Sequence, residues 1–173
     1  MYYLCPVDVV VDYLLRMCNA IKWTNNMKMY FRNEFERDLA QAYHRVIRDS
    51  GKDVYLKPRY EFVSQVVMGG APKFYITYEM ARRNVSALLR GKCADCRNKL
   101  KMQMYADIAR LTIDYQRRHK SFADDFNGAL MTILSEYPAP RFYITEKSAY
   151  NLLCAMQRKY RNMCRKNLTK KSA

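Results

Sequence analysis

The sequence predicts a mainly α fold. Two pseudo-symmetric three-helix units, each a long helix, a short helix, an extended block and a basic helix, follow one extra N-terminal helix. Three observations carry that reading. The stretch Ala71-Pro72-Lys73-Phe74-Tyr75-Ile76-Thr77 returns 68 positions later as Ala139-Pro140-Arg141-Phe142-Tyr143-Ile144-Thr145, with only Lys73 exchanged for Arg141. Apolar residues on either side of both copies recur at the three-and-four spacing of a helix rather than in alternation. The 173 residues include only five glycines and five prolines, too few breakers for many short elements. Half of the chain is apolar or aromatic, enough to bury a core in one compact domain or in two small units that share one.

Residues 6–23 read as the extra helix. Pro6 suits a first helical position. Val7, Val10, Val11, Leu14, Leu15, Cys18 and Ile21 share one face, and Asp12 and Arg16 are spaced for an ion pair on the other. Asn25-Asn26 marks a break. A long helix over 29–49 turns Phe31, Phe35, Leu39, Ala42, Tyr43, Val46 and Ile47 inward, and Gly51 ends it. Residues 52–58 read as a loop or short strand. A helix over 59–68 buries Phe62, Val63, Val66 and Val67, and Gly69-Gly70 stops it. Pro72 keeps Ala71 out of helical geometry, and Phe74, Tyr75 and Ile76 favour extended backbone. Thr77 then caps a helix over 78–90. Its inner stripe is Met80, Ala81, Val85, Leu88 and Leu89, and its wet stripe Glu79, Arg83, Ser86 and Arg90.

The pattern restarts after a connector. A helix over 100–119 carries Asp107-Ile108-Ala109, which answers Asp38-Leu39-Ala40. A loop over 121–125, a helix over 126–136 and the second block follow. The last helix runs from Glu146 to Arg165, with Ala149 matching Ala81 and Arg158 matching Arg90. The expected divisions are 1–27 for the N-terminal helix, 28–91 for the first unit, 92–99 for the connector, 100–165 for the second unit and 166–173 for a basic tail. Together they make one compact domain.

The formal charge of +15 is unevenly spread. Residues 78–101 hold Arg82, Arg83, Arg90, Lys92, Arg97, Lys99 and Lys101 against Glu79 and Asp95, and residues 157–173 hold seven more cations with no acid. Both runs follow a block, so the positive field belongs to the repeat. A helix with an apolar inner stripe and a basic outer one can lie along phosphates. The expected nucleic-acid contacts of the first copy are Lys73, Tyr75, Thr77, Arg82, Arg83, Arg90 and Lys92. Those of the second are Arg141, Tyr143, Thr145, Lys147, Arg158, Lys159, Arg161 and Arg165. Within the blocks, Phe74, Ile76, Phe142 and Ile144 read as core plugs, while for Tyr75 and Tyr143 contact and core roles weigh equally. A tandem helix-turn-helix is the nearest familiar motif, but the connection from Gly69 to Ile76 exceeds its short turn. Base-specific reading is therefore not expected, and DNA is favoured over RNA.

Catalysis is not expected. His44 and His119 fall in helices without a matching nucleophile or acid, Asp124-Asp125 and Glu34/Glu36 read as surface acids, and no glycine-rich phosphate loop is present. Cys93-x-x-Cys96 lacks the second close pair that a zinc site needs, so neither metal nor cofactor is expected. The six cysteines read as reduced, with no signal peptide before them, which implies an intracellular setting. Asp8 and Asp12 interrupt the apolar N-terminal run, so no membrane span is expected.

The second block, from Pro138 to Thr145, resembles a pattern in short uncharacterised proteins of bacterial phages and mobile elements. There Pro-Ala-Pro-Arg-Phe, an aromatic, Val or Ile, and Ser or Thr precede a helix. In the first copy Gly70 replaces the leading proline. The resemblance implies a mobile-element setting, in the bacterial cytoplasm or a phage particle, and brings no catalytic residues. The expected function is a non-enzymatic nucleic-acid-binding protein. The alternative is a structural component of a phage particle or nucleoprotein assembly, whose Tyr- and Arg-rich faces meet protein partners or further copies of the chain.

Overall fold

Six α-helices account for most of the residues that a computed structural model describes, namely 31–92 and 98–171, with the side chains of 164–171 excepted. They are α1 (Arg32–Asp49), α2 (Arg59–Met68), α3 (Tyr78–Leu89), α4 (Lys99–Arg118), α5 (Phe126–Glu136) and α6 (Glu146–Lys171). The fold is mainly α, and among the described residues no strand forms. The helix over 6–23, the Asn25-Asn26 break, Cys93-x-x-Cys96 and the side chains of the basic tail lie outside the described residues.

The helix bounds follow the apolar period closely, with three local corrections, of which the first is that α6 runs on to Lys171 instead of ending at Arg165. Residues 52–58 do not form a strand. Gly51 takes φ +51°, and a short 3-10 helix, Gly51–Tyr55, follows. It is closed by the Leu56 N–H on the Asp53 carbonyl at 3.0 Å and by Lys57 Nζ on the Asp53 carboxylate at 2.9 Å. A run of local bonds satisfies the backbone there without a partner strand. His119 lies just past α4 rather than inside it. Its N–H bonds the Tyr115 carbonyl at 2.9 Å, and its ring lies 4.3 Å from the Tyr115 ring.

The described residues divide into two compact units that cut across the sequence repeat. One holds residues 33–66 and 146–171, so it joins α1 and α2 to the third helix of the second copy. The other holds residues 31–32 and 67–145, so it joins α4 and α5 to the third helix of the first copy. Chain order alone pointed to a division at the connector after residue 91. A block of seven residues can reach up to about 24 Å, long enough for a third helix to leave the pair that precedes it.

In the first unit, Leu39, Ala40 and Tyr43 of α1, Phe62, Val63 and Val66 of α2, and Ala149 and Leu153 of α6 are buried. Ser64 donates to the Glu146 carboxylate at 2.6 Å, and the Tyr60 and Tyr150 rings lie 6.5 Å apart. Burial pushes the Tyr43 hydroxyl pKa up, and the Cys154 and Tyr150 side chains add to that rise while Arg59 opposes it.

In the second unit, α3, α4 and α5 pack on one another. Ala81 and Val85 face Met104, Tyr105, Ile108, Ala109 and Thr112 of α4 and Ala129, Leu130 and Ile133 of α5 as buried residues. The Thr112 hydroxyl is fully buried and donates to the Ile108 carbonyl at 2.8 Å, so it costs little. Asp125 caps α5 by accepting from Gly128 N at 2.8 Å.

The two blocks meet within this second unit. Ala71 and Ala139 exchange both backbone bonds, N–H to carbonyl, each at 2.9 Å. Gly70 at φ +92° turns the chain into that bridge. Phe74 stacks near Tyr143 with centroids 6.2 Å apart, and Tyr75 near Phe142 at 6.3 Å. Phe74, Ile76 and Phe142 are buried and Ile144 is half-buried, which fits their reading as plugs.

Candidate nucleic-acid interface

The basic face of the second unit is built by the caps of α3 and α4. Thr77 is extended, and its Oγ1 accepts from Met80 N at 3.4 Å, which starts α3. Gly91 at φ +70° ends it: Gly91 N–H bonds the Leu88 carbonyl and Lys92 N–H the Ala87 carbonyl, both at 3.0 Å. This closes the last turn and leaves Arg90 and Lys92 beside its carbonyl end, where positive charge is favoured. Asn98 Oδ1 accepts from Leu100 N at 3.0 Å and Lys101 N at 3.4 Å, so it fixes the first turn of α4, which carries Lys101.

Between these elements lies a cavity of about 680 Å³. Its lining includes Arg82, Arg83, Arg90, Lys92 and Lys101 against Glu79, with Met80, Ala87 and Tyr105 as its apolar part. Arg82 is partly neutralised by Glu79 at 3.5 Å. Arg83, Arg90, Lys92 and Lys101 have no ion-pair partner among the described residues. Four unpaired cations around one concavity repel one another, and an anion placed among them would relieve that repulsion.

Four of the expected contacts, Arg82, Arg83, Arg90 and Lys92, therefore converge. The block residues do not join them. Lys73 is half-buried, with Nζ 4.9 Å from the Phe31 ring centroid and 5.9 Å from that of Tyr75. Arg141 donates from Nη1 to Gln103 Oε1 at 3.4 Å, while its Nε is buried without a hydrogen-bond partner. Tyr143 donates to Asp107 Oδ2 at 2.7 Å. Burial, then that bond, push its hydroxyl pKa far up. Both tyrosines thus have internal partners. Thr145 is exposed directly before α6, as are Lys147, Arg158, Lys159 and Arg161 along it. Thr145 closes the second unit, while the four cations of α6 belong to the first, where Arg158 and Arg161 have no partner among the described residues. The Arg165 side chain lies outside the described residues.

Lys101, Asp107 and Gln103 were missed as site or support residues. Lys101 stood in the basic run but on the next helix, and only packing of α4 on α3 brings it to the groove. For Asp107 a signal existed, since Asp107-Ile108-Ala109 repeats Asp38-Leu39-Ala40. Met80 and Leu89, expected on the inner stripe, are 49% and 44% exposed. They stand at the edges of a stripe whose centre is Ala81 and Val85.

Among the described residues, no three His, Cys, Asp or Glu converge as metal ligands, and no helix is long and apolar enough to cross a membrane. No family model matches the chain, and no curated protein or solved structure is significantly similar to it.

Proposed function

We propose that the chain is a non-enzymatic nucleic-acid-binding protein that takes phosphates on the basic faces of α3 and α6, with DNA ahead of RNA. The observation that carries this reading is the α3–α4 groove, where Arg83, Arg90, Lys92 and Lys101 stand unpaired. Phosphates offer such a cluster charge-assisted hydrogen bonds, and binding releases their counterions. The exposed Arg158 and Arg161 of α6 extend the reading to the second copy. The likeness of Pro138–Thr145 to the phage pattern supports a mobile-element origin and an intracellular setting.

Titration against single-stranded and duplex oligonucleotides across a salt series tests it. Affinity should fall linearly with the logarithm of salt. Absence of binding at low salt, or binding insensitive to salt, overturns the reading.

A second reading, a structural component of a particle, is favoured by Tyr55, Leu56 and Tyr60, which are 62%, 80% and 47% exposed. Sedimentation without nucleic acid separates the two, because rings or shells would support assembly and a discrete small species would not.

A further inference from the structure

We infer that the α3–α4 groove takes a single strand rather than a duplex, with a base laid against Met80. The inference rests on the phosphate-binding reading above and names its substrate. Its first ground is shape. An α-helix with its side chains is about 10–12 Å across and by itself fills a major groove about 12 Å wide. The basic face of α3 cannot be offered in that way, since Lys101 and Tyr105 of α4 stand across the groove from it. The cations ring a concavity, while a duplex presents its phosphates on a convex surface. A single strand is thin enough to enter and can turn its phosphates outward to the rim.

The second ground is the lining. Phosphates alone need no apolar surface, yet Met80 stands 49% exposed among the cations, beside Ala87. A thioether is polarizable and makes favourable contacts with aromatic faces, so an unstacked base fits it. Arg83, on the next turn, offers a planar guanidinium that can stack or bind phosphate. The third ground is that few uncharged polar groups line the groove, namely Asn84, Ser86 and the Tyr105 hydroxyl. The Asn84 side-chain nitrogen is committed to the Met80 carbonyl at 2.7 Å. Charge plus stacking, without edge recognition, is the pattern of sequence-tolerant single-strand binding.

Fluorescence anisotropy on the full chain tests this with oligothymidylate, oligouridylate, an abasic strand of equal length and the matching duplex. Both single strands should bind about tenfold more tightly than the duplex, and the abasic strand should lose most of that advantage. Met80→Ser, at an exposed position, should weaken oligothymidylate about threefold and leave the abasic strand unchanged. Duplex binding as tight as single-strand binding, or an equal Met80→Ser effect on both strands, overturns the inference while leaving the phosphate reading intact. If no probe binds at low salt, both fall.

Discussion

Tyr143 donates its hydroxyl hydrogen to Asp107 at 2.7 Å, joining the second block to the middle of α4. Tyr143→Phe removes the donor and leaves Asp107 with Arg110, 3.4 Å away. The variant should lose about 1–2 kcal/mol in urea denaturation at neutral pH. Because the folded pKa is raised, the native state keeps the proton that the unfolded chain gives up. The stabilisation is full below the unfolded value of about 10 and is lost as pH rises beyond it. Tyr43 and Tyr60 shift in the same direction, so the alkaline decline should be shallower in Tyr143→Phe but not absent.

His44 predicts the opposite limb. Burial, and then Arg48, pull its pKa down, and Nε2 is buried with no hydrogen-bond partner. The fold keeps the ring neutral, so its stabilisation is present above about pH 6.5 and is lost as pH falls and the unfolded chain takes up the proton. Denaturation of His44→Leu between about pH 7 and pH 5 should show a flatter acid limb than the parent chain.

The cap of α5 reverses a common expectation. Gly→Ala inside a helix ordinarily stabilises by about 1 kcal/mol. A Cβ at Gly128, however, would run into the Asp125 carboxylate that accepts its N–H. Asp125→Ala should cost about 1 kcal/mol. Gly128→Ala should stabilise only where Asp125 has already been replaced, and a double-mutant cycle by thermal or urea denaturation measures that coupling.

For binding, Arg83→Glu with Arg90→Glu should weaken every nucleic-acid probe and flatten the salt dependence by about two phosphate contacts. Reversal of Arg32 and Arg37, outside the groove, should change affinity far less. Circular dichroism should be unchanged in the Arg83/Arg90 double variant, since both side chains are exposed and without an ion-pair partner among the described residues.

Much of the local structure was legible because its causes act over a few residues. The apolar period, Thr77 as a cap and Gly91 as a stop set α3 within a turn of its observed ends. The basic groove was half legible. Arg82, Arg83, Arg90 and Lys92 stood on one short stretch, while Lys101 and Tyr105 entered only through the packing of α4. The block tyrosines were ambiguous because a tyrosine serves a surface and a core equally well; only the fold supplies the internal partners, Asp107 for Tyr143 and Phe142 for Tyr75.

By itself the sequence determined that the fold is mainly helical, where most of the described helices begin, and that its charge rides on the third helix of each copy. Tertiary structure decided which helices share a core. The reason is that the two third helices offer near-equivalent inner stripes: Ala81 and Val85 on α3, Ala149 and Leu153 on α6, all buried. Either stripe would cover either helix pair, so periodicity cannot choose between them. The choice was made by contacts distant in sequence, such as Ser64 with Glu146 in one unit and the Ala71–Ala139 bridge in the other.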